Sequence, residues 1–354
     1  MSRVRVLAIR ARSGPGERDA AGDRVPRARF RKMRVIVPGL LCCVALLAGP
    51  AHAQAKPGGW IEAVADWFDR GSEGDTVTPS HVYRATRDLV AEIEILRREL
   101  GADDYPPEAE PQEGRAPVHV YAKTLEVMSK VARMQRRLGV EPAQVGQIPI
   151  KDVQPADVLA SVAAIIGELR GIKAQMVIGQ EIAAAPFEAG KTPSMVYKNL
   201  SDASFLLDGL AGRSLTPNDV YLNTQYILDE LELVAAKLRA PLAREAPTVE
   251  GRKTPKDVAQ QVLRASYKMV NLQTRLGMDA SSVPTLTLVR VTPSVVYDAT
   301  NMLLAEMTRI KHHLDINIPR ETRAEPRNKT PSDVFRQVLL VIRNLDGISE
   351  VAEA

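Results

Sequence analysis

The chain has 354 residues, 45% of them hydrophobic and only 4% aromatic, which is room for two domains or one long repeat array with a core of Leu, Val, Ile, Ala and Met. So few rings suit helix packing better than a sheet sandwich. The net charge is +4, but residues 1–53 hold eleven Lys or Arg against three Asp or Glu, so the remainder, 36 basic against 40 acidic, is about −4 and lacks the field of a nucleic-acid-binding surface.

The first 53 residues read as a leader. Met33-Arg34, the apolar run from Val35 to Leu47, Gly49-Pro50 and the small-residue site Ala51-His52-Ala53 form an export signal with cleavage expected after Ala53. Residues 1–32, rich in Arg and Gly, are a long n-region, which places the expected start of translation at Met33. The apolar run is shorter than the roughly 20 residues of a spanning helix, and no later stretch is long and apolar enough. Cys42 and Cys43 are the only cysteines, and Leu40-Leu41-Cys42 lacks the small residues of a lipidation site. The mature chain is thus expected to carry no thiol, hence no disulfide, zinc-thiolate site or cysteine nucleophile, and to reside in the periplasm or outside the cell.

Residues 54–77 hold both tryptophans. Trp60, Ile61, Val64, Trp67 and Phe68 share one face of a short amphipathic helix, expected to cap the array or to dock on a partner or membrane surface.

Eight repeats follow. Each opens on Pro-x-x-Val, at Pro79, Pro117, Pro155, Pro193, Pro217, Pro255, Pro293 and Pro331, with spacings of 38, 38, 38, 24, 38, 38 and 38. Thr at N-cap, Pro at N1 and Asp at N3, as in Thr216-Pro217-Asn218-Asp219, satisfy the free amides of a first helical turn and preset its φ. Ala116 and Gln154 are weaker N-caps, expected to fray slightly. Apolar residues then recur at offsets 3, 7, 10, 14, 17 and 21 from the Pro, as in Val220, Thr224, Ile227, Leu231, Val234 and Leu238. That period of 3.5 is the seam of nearly aligned helices. Leu100-Gly101, Leu138-Gly139 and Leu276-Gly277 mark helix ends with a left-handed residue.

The connections are about 14 to 16 residues long and rich in Pro, Glu, Ala and Arg. A helix of about 22 residues spans about 33 Å, and 14 extended residues reach about 46 Å, so a linker can return along a whole helix and let successive helices run parallel. Thr285 to Val291 alternates enough to lie extended; a solvated, mobile linker is the equal reading. The exception is the spacing of 24. Helix four is short, as is helix eight from Pro331 to Ile348, and only Ala211 to Leu215 separate helices four and five, which must form an antiparallel hairpin or a sharp corner. The expected fold is therefore all-α, eight helices in two quasi-equivalent four-helix blocks, residues 78–213 and 214–354, displaced by 138 residues.

Five of the eight tyrosines, Tyr83, Tyr121, Tyr197, Tyr221 and Tyr297, follow the repeated Val, with Phe335 in the last repeat. Leu159 and Ala259 at the same position favour a wedge at each helix start over a ring of ligand-binding hydroxyls. His81 and His119 occupy N3, where Asp stands elsewhere, and are expected to cap their helices; His312 and His313 suit the negative end of a helix dipole. No Gly-rich phosphate loop, nucleophile elbow or paired-histidine zinc motif occurs, so neither catalytic residue, cofactor nor metal is expected. The expected function is a non-enzymatic binding or scaffolding module of the bacterial periplasm or envelope, with a protein partner, no nucleic acid and potential self-association. The alternative is a small-molecule sensor or carrier with a cavity between the blocks, lined by tyrosines. Trp60, Trp67, Phe68, Tyr197 and Tyr221 are the candidate surface.

Overall fold

Eight helices begin where the Pro-x-x-Val phrase places them. The computed structural model describes residues 76–352 except 103 and 284–290. Its helices are α1 (Pro79–Glu99), α2 (Pro117–Leu138), α3 (Pro155–Gln175), α4 (Pro193–Asp208), α5 (Pro217–Leu238), α6 (Pro255–Arg275), α7 (Pro293–His313) and α8 (Pro331–Val351). No strand occurs among the described residues. α4 is the one short helix, with 16 residues; α8 has 21 and is not shortened as expected.

The first turns are built as their residues dictate. In α6 the Asp257 carboxylate accepts the Thr254 amide at 2.7 Å while Thr254 Oγ1 accepts the Asp257 amide at 3.3 Å. The two N3 histidines do the same work with a ring nitrogen: Nδ1 accepts the amide of Thr78 at 3.1 Å in His81 and that of Ala116 at 2.9 Å in His119. Asp157 likewise takes the Gln154 amide at 2.9 Å, so the two weak caps are supported from N3.

The seam is buried as its period requires: Val220, Thr224, Ile227, Leu231 and Val234 are all at most 2% exposed. Where Thr replaces an aliphatic residue at offset 7, its hydroxyl donates to the carbonyl three residues back, as Thr224 does to Tyr221 at 2.7 Å, so burial leaves no hydroxyl unmet.

Each block is a parallel bundle. Pro79, Pro117, Pro155 and Pro193 meet around one end of block 1 with the valines that follow them, and Pro217, Pro255, Pro293 and Pro331 do so in block 2. Within block 1, α1 packs on α3 and α4, and so does α2, so α1 and α2 stand on opposite corners. Block 2 repeats this order with α5 and α6 on opposite corners, each against α7 and α8. The ring of four is closed, unlike a solenoid, which can be extended by further repeats.

Parallel helices need long return connections, and the linkers are pinned along the bundle. The Lys191 amide donates to Ser80 Oγ at 3.0 Å and its counterpart Lys329 to Asn218 at 2.8 Å; Arg115 and its counterpart Lys253 donate to Ser194 and Ser332 at 3.1 and 2.9 Å. The described linkers are tied to the bundle at these points while most of their residues stay exposed; 284–290, which cover most of the alternating segment, lie outside the described residues.

Six helices end in a six-to-one bond around a left-handed residue. Gly101, Gly139 and Gly277 fill that place at φ +67, +74 and +72°, and Val177, Arg239 and Asp315 fill it at 57, 57 and 55°. Four aligned dipoles per block concentrate carbonyl ends at one pole, where Arg97, Arg98, Arg136, Arg137, Lys173 and Lys311 supply cations.

The blocks oppose one another. α2 and α7 are the only helices in contact between them among the described residues. His119, near the start of α2, meets Glu306 well along α7, whereas Lys123 one turn later meets Asp298 near the start of α7, so the two helices run antiparallel. α4 and α5 make the expected corner without packing together as a hairpin.

Candidate functional site

Three features of the block junction could recognise something. The first is the α2–α7 seam itself, which buries charge. Lys123 Nζ lies 2.9 Å from Glu126 Oε2 and 2.6 Å from Asp298 Oδ1, and Lys130 Nζ lies 2.7 Å from Asp208 and 3.6 Å from Glu126. Ser204 donates to Glu126 at 2.5 Å and receives Lys130 at 2.6 Å. Burial raises the Asp298 carboxyl well above its ordinary range, and Glu126 adds to the rise; burial acts the same way on Glu126, but Lys123 and Lys130 overcome it and hold that carboxyl low. His119 Nε2 bonds Glu306, and against the opposing effect of burial this bond and Arg309 keep Glu306 at about 2. Every charge here has a partner inside the protein, so the seam is a fastening.

The twin positions in the other block show how it arose. His119, Lys123, Glu126 and Asp298 stand where the other block has Asp257, Gln261, Arg264 and Ala160. The conserved part of the frame is different: Gln135 bonds Glu168 at 2.6 Å and Gln273 bonds Glu306 at 2.5 Å, in both blocks alike. Sequence reading compared each repeat with a consensus and missed the seam; comparing position with position 138 residues on would have exposed it.

The second feature is a half-open cavity of about 350 Å³ where the linker after α2 lies against α5, α7 and the linker after α7. Ile148, Pro149, Ile150 and Pro319 make its apolar wall; Glu230, Thr308, Lys311, Asn317 and Arg320 supply polar groups. Gln147 closes it across the blocks by a reciprocal bond with the Arg320 backbone, at 2.6 and 3.0 Å. The Arg320 guanidinium lies over the Tyr226 ring, 4.0 Å from its centroid.

The third is an open hollow of about 860 Å³ at the α4–α5 corner, bordered by Arg133, Arg136, Arg137 and Arg213 with Asp208 and Glu325. Arg137 is committed to the carbonyls of Gly209 and Leu210, at 3.3 and 3.1 Å, and Arg213 to Asp219 at 2.7 Å. Arg136 is exposed, and its hydrogen bond, at 3.3 Å, is to Ala132 of its own helix.

The tyrosines take neither the cavity nor the hollow. Tyr197 is 3% exposed, with the Arg115 guanidinium 5.0 Å from its ring centroid. Tyr221 is half-buried beneath Lys329 at 4.5 Å, and its hydroxyl accepts Gln337 at 3.3 Å. Tyr83 sits under Lys191 at 4.4 Å and Phe335 under Lys253 at 5.2 Å. The cation is always the residue two before a helix-opening proline, so the aromatic clamps a returning linker. That basic residue was the unread signal. Tyr197 and Tyr221 therefore belong to separate bundle ends, and Trp60, Trp67 and Phe68 lie outside the described residues.

Among the described residues no group of three or more His, Asp or Glu is placed to hold a metal, and no helix is long and apolar enough to cross a membrane. No known protein family, curated protein or solved structure matches the chain.

Proposed function

We propose that this protein is an exported, non-enzymatic helical module of the periplasm or cell envelope that binds an acidic segment of a partner protein at the α4–α5 corner. The observation that supports this reading is the arginine-lined hollow. Of its acids Asp208 is matched by Lys130 at 2.7 Å and Glu325 is exposed; Arg133 reaches Asp219 at 3.7 Å, which leaves Arg136 exposed to an incoming carboxylate. A pull-down from an envelope fraction with the mature protein tests it. A specific partner is expected, released by salt and lost in Arg136→Glu. Retention by that variant removes the hollow from the argument; no partner at all, with a monomer at high concentration, removes the scaffold reading.

A second reading, a small-molecule sensor or carrier, is supported by the half-open cavity between the blocks. The lining is aliphatic and charged in place of the expected tyrosines.

A further inference from the structure

The duplication gives this cavity a reference. In block 1, Glu92 is held by two cations, Arg170 Nε at 2.9 Å from Oε1 and Lys173 Nζ at 2.6 Å from Oε2. In block 2 the same carboxylate is Glu230 and the same lysine is Lys311, 2.5 Å apart. The counterpart of Arg170 is Thr308, whose hydroxyl turns back to the Leu304 carbonyl at 3.1 Å. The place that a guanidinium fills in block 1 is thus open in block 2, and it opens into the cavity.

Charge inside the cavity is correspondingly divided. Glu230 is 4% exposed and has one cation where its twin has two. Lys311, 1% exposed, spends one proton on Glu230 and another on the Ile318 carbonyl at 2.6 Å. Arg320 borders the same space, and no ion pair joins it to Glu230 or to any other carboxylate among the described residues. A buried carboxylate with one ion-pair cation fewer than its twin and a guanidinium in no ion pair face one half-open volume with an aliphatic wall. Its size lies within the range of small-molecule sites, roughly 300–1,000 Å³.

We propose that the cavity binds a small zwitterion, a free α-amino acid with an aliphatic side chain. Its ammonium takes the place at Glu230 that Arg170 takes at Glu92; its carboxylate pairs with Arg320; its side chain lies on Ile148, Ile150 and Pro319. The ligand joins the linker of one block to the helices of the other. The inference rests on the sensor or carrier reading.

Calorimetric titration of the full mature protein with leucine, 4-methylpentanoate and isopentylamine separates the two. Leucine is expected to bind at one site per chain, with each analogue weaker by at least about tenfold, since each leaves one buried charge unmet. Arg320→Gln is expected to lose at least about tenfold for leucine. Thr308→Arg, which restores the block 1 arrangement, is expected to abolish binding while raising the melting temperature, so that loss of binding is not loss of fold. Equal binding of one analogue and leucine, abolished by Thr308→Arg, overturns the zwitterion and leaves the carrier reading standing. No saturable binding of any of the three below about 10 mM overturns both.

Discussion

Replacing Lys123 by methionine removes the ammonium that bridges α2 and α7 while keeping the side-chain volume. Glu126 and Asp298, 2.9 and 2.6 Å from Lys123 Nζ, are then left in a site from which water is shut out, Lys123 and Glu126 being 2% exposed. Breaking a buried pair from one side costs about 3–5 kcal/mol, most of it the desolvation of the charge left behind. With a urea slope of about 3 kcal/mol per M, the unfolding midpoint falls by about 1–2 M. Asp298→Ala in the same background restores part of this loss, because the twin positions Gln261 and Ala160 show that the frame accepts neutral residues at both places. Urea unfolding of the wild type, both single variants and the double variant, followed by circular dichroism, gives the coupling energy. A loss below about 1 kcal/mol for Lys123→Met, or a double variant equal to the sum of the singles, refutes the bridge. Since α2–α7 is the one helix contact between blocks among the described residues, calorimetry of Lys123→Met is also expected to split one transition into two.

Two further substitutions test local reasoning. Val177 is β-branched, 90% exposed and held at φ 57°, where its 38-residue counterpart is Gly139; Val177→Gly is expected to stabilise the protein by about 1 kcal/mol, read as a rise in the urea midpoint. Glu306 is held at about 2, below its ordinary 4.5, so the stability it supplies is complete above about 4.5 and is lost as pH falls toward 2. Glu306→Gln is expected to be less stable at pH 7 and to show a flatter fall in urea midpoint over that window; an unchanged slope would show that the His119 contact contributes nothing.

Much of the frame was legible because it depends on local chemistry. The Thr-Pro-x-Asp starts, the 3.5 period and the Leu-Gly ends each specify a turn or a stripe without reference to distant parts of the chain. The length of the linkers was enough to permit parallel helices. The ring order was not legible, since nothing in the α1–α2 linker states that its two helices stand on opposite corners. Nor were the buried lysines: Lys123 and Lys130 lie off the apolar stripe, where solvent is the ordinary expectation, and they are met by distant residues, Asp298 of the second block for Lys123 and Ser204 and Asp208 of α4 for Lys130. The cavity was invisible for a related reason, as Thr308 reads as an ordinary helix residue until it is set beside Arg170.

The ring order has a consequence for how the chain acquires its structure. Among the described helices α1 touches only α3 and α4, and α5 only α7 and α8. Of the consecutive helices only α2 with α3 and α6 with α7 can pair as the next one leaves the ribosome; the earliest partner of α1 begins at Pro155, 76 residues after Pro79. Contacts at such separations delay the return on loop-closure entropy, so each block is expected to fold more slowly than an up-and-down bundle of its length and to close its ring only after its fourth helix is available.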